Sequence, residues 1–337
     1  MVLNRAQRLV EHGKDVGMLS WLYDEDRYSS GCAGGKVTKD HPEYRRQTMI
    51  LSCNPDYKMS ERASVIARFD VILNDEGRLV SYCRLGDGEV AKHRAMTAYH
   101  EYVENRNWRN GQADADTLNP DVTRHFIELT HEAYAKEVGE DFGGAVPAIF
   151  TDEPYFSRMV ALRFADCSQG KIDIDMPYTA DFDETYRATN GESLIDRLPE
   201  LLWERADGLP QVTRYRYLDH LAERFSRSYS GVVGEWCRAH GLAYTGHMLG
   251  EENLYSQSTC CGDVMRSYRY FDIPGIDMLC SKIELTTAKQ CQSVVRQAGK
   301  VGMMCELDGV TGWDFDFRGH KLHGDWQAAL GVTLRVP

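Results

Sequence analysis

The sequence predicts an α/β protein built as a (β/α)8 TIM barrel. Helical patterns alternate with short apolar runs along most of the chain, which is typical of parallel strands joined by helices. The apolar runs are uninterrupted, as in strands that are buried on both faces. Several runs are followed directly by a carboxylate or a histidine, and in a barrel such strand ends converge on one mouth. A doubly wound open sheet is the competing arrangement, and the strand ends favour the barrel.

Composition excludes several classes of partner. The chain has 337 residues, and 39 Lys and Arg against 51 Asp and Glu give a formal charge of −12 at pH 7. Such a chain repels phosphate backbones and anionic lipid, so we expect no nucleic-acid or membrane partner. No apolar run approaches the roughly 20 residues that span a bilayer, and residues 1–15 lack a signal-peptide core. The ten cysteines include no CxxC pair, so we expect reduced thiols, no structural zinc and a cytoplasmic location.

The first unit, residues 1–43, is predicted to begin the barrel. It contains a helix that ends near Lys14, the strand Gly17–Tyr23 and a Gly-rich loop, Ser30–Gly35. The loop has neither the spacing of a dinucleotide-binding GxGxxG motif nor the Lys-Ser/Thr pair of a phosphate-binding loop. The sequence therefore argues against a nucleotide site in this unit.

A small β insertion is predicted after that strand, over residues 44–92. Apolar residues alternate in Arg68–Leu73 and again in Arg78–Leu85, and the turn Asn74–Gly77 separates the two runs. A period of two with turn residues between the runs predicts a β-hairpin.

Residues 93–337 are predicted to complete the barrel. They begin with a strand-like run, His93–Val103. Asn119 and Pro120 then open a helix as its N-cap and first helical residue, and a long helix covers Arg214–His240. Further strands and helices are predicted at Val146–Phe150, Leu242–Gly246, Ile276–Cys280, Thr287–Ala298, Val301–Cys305, Asp325–Leu330 and Val332–Val336.

Polar residues follow the C-terminal ends of four predicted strands, and they are Asp24-Glu25, Asp152-Glu153, His247 with Glu251, and Glu306. Aromatic residues follow two of the glutamates, Tyr155 after Glu153 and Trp313 after Glu306. Acidic groups among aromatic rings suit carbohydrate, because sugar C–H faces stack on the rings while carboxylates act at the glycosidic bond. Burying a carboxylate at the end of an apolar strand costs free energy, so a functional role is expected where one occurs.

Structural roles are open for the other residues at these strand ends. Glu25 suits an ion pair with Arg27 or Lys36, and Asp152 suits a helix N-cap. A lone histidine such as His247 is more often hydrogen-bonded than a metal ligand. A metal-dependent hydrolase would need clustered histidines, such as HxH after an early strand, and the sequence has none.

Glycoside hydrolysis is the predicted activity, and it needs two carboxyl groups on opposite sides of the scissile bond. One must carry a proton at the working pH, so burial or a neighbouring anion must raise its pKa. Asp152 beside Glu153 offers such an anion. Glu153 and Glu306 are therefore the strongest catalytic candidates, with an oligosaccharide or a glycoside as the substrate.

Four segments resemble the α-L-rhamnosidase family and its bacterial glycosidase-like relatives. Residues Trp21–Gly35 resemble the family's strand-plus-glycine motif, although Tyr28-Ser29 stands where the relatives usually have Trp-Pro. The segments that resemble the fourth-strand acid, the fifth strand and the seventh-strand carboxylate of such barrels are Phe150–Pro154, Tyr244–His247 and Glu306–Trp313.

The resemblance implies that Glu153 is the general acid and that Glu306 is the base or nucleophile of a barrel glycosidase. No cofactor is predicted from the residues, and the resemblance implies calcium near the site. Retaining and inverting mechanisms stay open, since carboxyl groups about 5–5.5 Å apart favour the first and about 6.5–9.5 Å apart the second. The residues that the strand-end pattern and the resemblance make candidates for substrate binding are Asp24, Glu25, Asp152, Tyr155, His247, Glu251, Asp308 and Trp313.

Counting strands against this template reveals a gap. Gly17–Tyr23 corresponds to the second strand and Val332–Val336 to the eighth, so the first strand is missing. We therefore expect an incomplete barrel, a fragment of a longer enzyme, with two exposed edges that favour aggregation. The gap leaves a non-catalytic or degenerate carbohydrate-binding barrel as the alternative function.

Overall fold

A computed structural model of the protein describes residues 2–157, 172–279 and 282–337. These residues form one parallel and one antiparallel sheet, with helices packed against the parallel sheet. The end of the predicted strand Ile276–Cys280 lies outside the described residues.

The strands are β1 (Leu22–Tyr23), β2 (Gln47–Ser52), β3 (Ser64–Leu73), β4 (Leu79–Arg84), β5 (Arg94–Tyr102), β6 (Ala148–Asp152), β7 (Asp173–Pro177), β8 (Ala243–His247), β9 (Ile273–Met278), β10 (Met304–Leu307) and β11 (Leu334–Val336). The helices are α1 (Val2–Val16), α2 (Lys36–Lys39), α3 (Pro120–Leu129), α4 (His131–Val138), α5 (Phe182–Asn190), α6 (Pro199–Leu202), α7 (Val212–Phe225), α8 (Val232–Ala239), α9 (Leu254–Cys260), α10 (Val264–Tyr268), α11 (Leu285–Ala298) and α12 (Phe317–Ala329).

The parallel sheet has the strand order β1-β6-β8-β9-β10-β11. Its strands are buried apolar runs, as in β6, where Ala148–Phe150 is at most 7% exposed, because helices cover such sheets. The register pairs Asp152 of β6 with His247 of β8, and Glu306 of β10 with Asp277 of β9. The polar residues at the carboxyl ends of these strands therefore lie along one edge of the sheet.

The prediction of a (β/α)8 barrel is wrong. Six parallel strands form a half-barrel, and within the described residues its edge strands β1 and β11 do not pair with each other. The run His93–Val103, which was counted with the barrel, contains β5, and β5 pairs with β2 and β3 in the antiparallel sheet. In β5, Met96 and Ala98 are buried while the residues between and before them are not. Such alternation suits an antiparallel strand with one covered face rather than a barrel strand.

The antiparallel sheet has the strand order β4-β3-β5-β2-β7. The predicted hairpin is confirmed as β3 and β4, and the Asn74 side-chain oxygen accepts a hydrogen bond of 2.8 Å from the Arg78 backbone N–H across the turn. β7 joins this sheet from far along the chain. The sheet thus contains three strands from residues 44–92 and two strands, β5 and β7, from later in the chain. The division into residues 1–43, 44–92 and 93–337 stays a prediction.

The helix predicted over Arg214–His240 is present with an interruption. α7 and α8 are joined by a π-helical turn, Ser226–Gly231. Within that turn, the buried Tyr229 hydroxyl lies 3.1 Å from the Thr151 hydroxyl near the end of β6. π turns are frequent at functional sites, and this one supports the strand end that carries Asp152. The predicted N-cap of α3 is confirmed, since the Asn119 side chain accepts from a backbone N–H of the first turn.

A large apolar core contains residues from both sheets, such as Phe69 of β3 and Ile276 of β9. The eight cysteines in the described part of the chain are free thiols, as expected for those residues. Among the described helices, none has both the length and the apolar character needed to cross a membrane.

Candidate active site

The candidate site lies at the carboxyl ends of five adjacent parallel strands. Tyr23 ends β1, Asp152 ends β6, His247 ends β8, and Asp277 and Glu306 lie near the ends of β9 and β10. The sequence predicted three of these residues, namely Asp152, His247 and Glu306. It missed Asp277, because an acid inside the apolar run of β9 gives little signal, and Tyr23, which was noted only as part of a motif.

His247 is the centre of the site. Its side chain is 1% exposed, and its Nε2 lies 2.9 Å from Glu306 Oε2 and 3.5 Å from Asp152 Oδ1. Burial favours the neutral ring, but the hydrogen bond to Glu306 and the charges of Glu251, Asp277 and Asp152 raise the pKa of His247 to about 10. At pH 7 the ring is therefore a buried imidazolium among carboxylates, and it donates a charge-assisted hydrogen bond to Glu306.

Asp152 is held from two sides. The Tyr23 hydroxyl donates to its Oδ2 at 2.5 Å, and its backbone N–H donates to Ser30 Oγ at 2.8 Å. Burial and the charge of Glu306 raise the pKa of Asp152, while His247 and Tyr23 oppose that rise. These contacts fix the carboxylate beside His247 and link β6 to the Gly-rich loop, so Asp152 is not the helix N-cap that the sequence allowed.

Glu153 follows β6 in a strained conformation. Its φ of 47° lies in the left-handed region, which costs a non-glycine residue about 1–3 kcal/mol and is retained mainly at functional sites. A carboxylate oxygen of Glu153, a ring nitrogen of His247 and a carboxylate oxygen of Asp277 lie within 4.8 Å of one another. The strained turn thus directs Glu153 to the same histidine as Asp152.

A glycine brings the ends of β6 and β8 together. Gly246 has a φ of 128°, and a Cβ at this position would lie 1.9 Å from the Thr151 carbonyl oxygen. Only glycine fits such an approach. The close contact places His247, the next residue, against Asp152.

Glu25 organises the Gly-rich loop. Its two carboxylate oxygens accept hydrogen bonds of 2.6–2.9 Å from the backbone N–H groups of Asp26, Cys32, Ala33 and Gly34. Successive N–H groups that converge in this way form an anion-binding nest. In these contacts Glu25 binds the loop backbone, not the basic side chain that the sequence allowed.

Replacing Glu25 by Gln is expected to lower the free energy of unfolding by about 1–3 kcal/mol for each N–H group left unpaired. In the glutamine variant an NH2 group replaces one carboxylate oxygen. This group cannot accept the two hydrogen bonds that the oxygen receives, and it repels the two N–H donors. Urea unfolding at pH 7 measures the change, and Asp26→Asn is the matched control because the Asp26 side chain is 64% exposed. Equal unfolding midpoints for the two variants would contradict this role of Glu25.

Asp24 and Glu251 lie behind the site. Asp24 accepts a hydrogen bond of 2.5 Å from Ser30 Oγ, and burial raises the pKa of Asp24 well above its usual value. Glu251 accepts from the Tyr268 hydroxyl and, at 2.8 Å, from the Asp277 backbone N–H. Burial raises the pKa of Glu251 to about 8, against the opposing charge of His247. Both residues are at most 6% exposed, so their hydrogen bonds hold the strand ends in place from the buried side of the site.

The other predicted binding residues are not brought into the cluster by any described contact. Asp308 bonds His320 at 3.0 Å and lies 3.5 Å from His323, which ties the loop after β10 to α12. His323 is 3% exposed, so this end of the contact is buried. Trp313 is fully exposed in the same loop. Tyr155 is buried, with its hydroxyl 3.4 Å from Asp114.

The residues do not fit the calcium ion that the resemblance implies. Calcium takes six to eight oxygen ligands, and a histidine ligates a metal only when neutral. Here Asp152 and Glu306 both face Nε2 of His247, so this cluster offers two carboxylates and a ring nitrogen rather than a shell of oxygen ligands. The imidazolium takes the position of a cation between the carboxylates.

Comparison with solved structures supports the resemblance at the level of the fold. The chain is similar to the structure of a rhamnosidase from Novosphingobium sp. PP1Y, with a TM-score of 0.55 and 16% sequence identity. The match covers 76% of this chain and 25% of that chain, so this chain spans about a quarter of the rhamnosidase. No protein-family model and no curated protein matches the sequence. The likeness is a distant fold relationship to a glycoside hydrolase.

Proposed function

We propose that the protein is a glycoside hydrolase of the rhamnosidase-like kind, with Glu153 and Glu306 as its catalytic carboxyl groups. The observation that carries the proposal is the convergence of Asp152, Glu153 and Glu306 on the buried His247. The fold likeness to a rhamnosidase supports it. Two carboxyl groups with different surroundings are what hydrolysis of a glycosidic bond requires.

Glu306 is suited to the role of base or nucleophile. Its side chain is 35% exposed, so substrate and water reach it. The hydrogen bond from the His247 imidazolium orients one oxygen and leaves the other to act on water or on the anomeric carbon. Glu153 is proposed as the acid that protonates the glycosidic oxygen while the bond to the anomeric carbon breaks.

A panel of 4-nitrophenyl glycosides that includes the α-L-rhamnopyranoside tests the activity. We expect the full chain to release nitrophenol from at least one member. The anomeric configuration of the first-formed sugar, read by NMR, then distinguishes retention from inversion. No release from any glycoside at high enzyme concentration would contradict the proposal.

A non-catalytic carbohydrate-binding protein is the second candidate. The observation that favours it is the half-barrel, whose edges β1 and β11 are unpaired with each other in the described residues, because an incomplete mouth positions a substrate less firmly. Binding of an oligosaccharide without turnover would select this alternative.

A further inference from the structure

A pocket lies on the side of the Gly-rich loop. It has a volume of about 160 Å³, enough for a single small ring, and it is lined by Tyr28, Ser29, Arg106, Trp108, Arg109 and Tyr155. Two lining residues are arginines and none is acidic. The pocket therefore differs in charge from the acidic cluster around His247.

Short connections join this pocket to the catalytic cluster. Tyr155 comes two residues after Glu153. Ser29 precedes Ser30, whose backbone N–H donates to the Asp152 carbonyl at 2.7 Å while its Oγ accepts from the Asp152 N–H at 2.8 Å. The chain and these hydrogen bonds therefore connect the lining of the pocket to the end of β6, which carries Asp152.

Two exposed aromatic rings form one wall of the pocket. Tyr28 and Trp108 are 45% and 44% exposed, and their rings pack edge to face with centroids 5.8 Å apart. The indole N–H of Trp108 donates to the Tyr28 carbonyl at 2.6 Å, which holds the ring in place. Large rings that are exposed but fixed provide contact area at little entropic cost.

On the arginine side of the pocket, the guanidinium groups outnumber the carboxylate that pairs with them. The Asp114 carboxylate lies 2.8 Å from Arg106, 2.9 Å from Arg109 and 3.6 Å from Arg46. Burial alone would raise the pKa of Asp114, but the three guanidinium groups lower it below its usual value. One ionised carboxylate therefore faces three guanidinium charges.

Arg106 is the lining arginine whose guanidinium group can also reach a ligand. Arg109 is buried, and its N–H groups donate to Asp114 and to the carbonyls of Arg27 and Ser29 at 2.6–3.0 Å. Arg106 donates to Asp114 through Nη1, and its side chain is 45% exposed. The planar guanidinium fork recognises a carboxylate through paired hydrogen bonds.

We propose that this pocket binds a sugar that carries a carboxylate, a uronic acid residue, with Arg106 on the carboxylate and the Tyr28–Trp108 wall against the ring. The inference rests on the proposed function, since it names the substrate class of the same site. A uronic acid is preferred to a neutral sugar because no residue that lines the pocket is acidic and the one neighbouring carboxylate, Asp114, is shared among three guanidinium groups.

Binding of D-galacturonate and of D-galactose to the full chain, followed by NMR titration at low salt, tests the proposal. The two probes differ only in a carboxylate or a hydroxymethyl group at C6. We expect galacturonate to bind at least about ten times more tightly, as a charged hydrogen bond allows, and added salt to reduce the difference. Equal affinities, or no binding of either sugar, would overturn the proposal.

Variants assign the effect to Arg106. Arg106→Gln is expected to remove the preference for galacturonate, and Arg78→Gln, an exposed arginine paired with one acidic side chain, is expected to keep it. Trp108→Ala should weaken both sugars by the same factor and keep the preference for galacturonate, since it removes the wall against the ring and leaves Arg106 in place. A preference that survives in Arg106→Gln contradicts the assignment. Since binding needs no turnover, galacturonate preference without glycosidase activity would refute only the proposed function.

Discussion

Replacing Glu306 by Gln is expected to lower kcat on the best glycoside of the panel by roughly 10²- to 10⁴-fold, the range for loss of a positioned acid or base. Gln has the same shape and still accepts from His247 Nε2, which Glu306 binds at 2.9 Å, but it carries no charge to activate water or to attack the anomeric carbon. KM should change little, because the loss falls on the transition state.

Leaving-group dependence separates the two glutamates. Glu153→Gln should slow methyl glycosides far more than 4-nitrophenyl glycosides, because nitrophenolate departs without a proton. Glu306→Gln should slow both classes alike. Glu137→Gln, an exposed acid on α4, is the matched control and should keep full activity. Retained turnover in both catalytic variants would refute the assignment.

Stability of the chain is expected to fall as the pH rises from about 6 to 10. The folded pKa of His247 is raised from 6.5 to about 10, and that of Glu251 from 4.5 to about 8. A group whose folded pKa is raised contributes stability below its unfolded pKa and loses it as the pH passes its folded pKa. The loss for Glu251 spans pH 4.5 to 8 and that for His247 spans pH 6.5 to 10. Both losses lower the free energy of unfolding as the pH rises.

Urea midpoints at pH 6 and pH 9 measure this dependence. Glu251→Gln should be more stable than the unmodified chain at pH 6 and by a larger margin at pH 9, because its amide bonds both the Asp277 N–H and the Tyr268 hydroxyl without ionising. His247→Gln should be less stable at pH 6, since Asp152 and Glu306 lose their cation, and it should lose less stability than the unmodified chain between pH 6.5 and 10. A chain that grows more stable from pH 6 to pH 9 would contradict both pKa shifts.

Local patterns in the sequence predicted much of the structure. The hairpin β3–β4 and the start of α3 at Pro120 follow from turn and capping residues that act over a few positions. The strands that carry Asp152, His247 and Glu306 follow from apolar runs that end in polar residues. Each of these features depends on neighbours in the chain, which the sequence displays directly.

Other features depend on contacts between distant segments. Asp277 faces the site because the register aligns it with Glu306, which no local pattern states. Glu25 binds backbone N–H groups of a folded loop, and such groups have no signature in residue types. The sequence therefore allowed an ion pair for Glu25 and overlooked Asp277.

By itself, the sequence determined an acidic α/β chain with parallel strands whose carboxyl ends carry carboxylates and one histidine. Only the tertiary structure decided that these strands form a half-barrel, that β5 belongs to a second sheet, and that a buried imidazolium at His247 lies among the carboxylates. The physical reason is that burial periodicity and turn chemistry are local, whereas strand partners and pKa shifts arise from groups brought together across the whole chain.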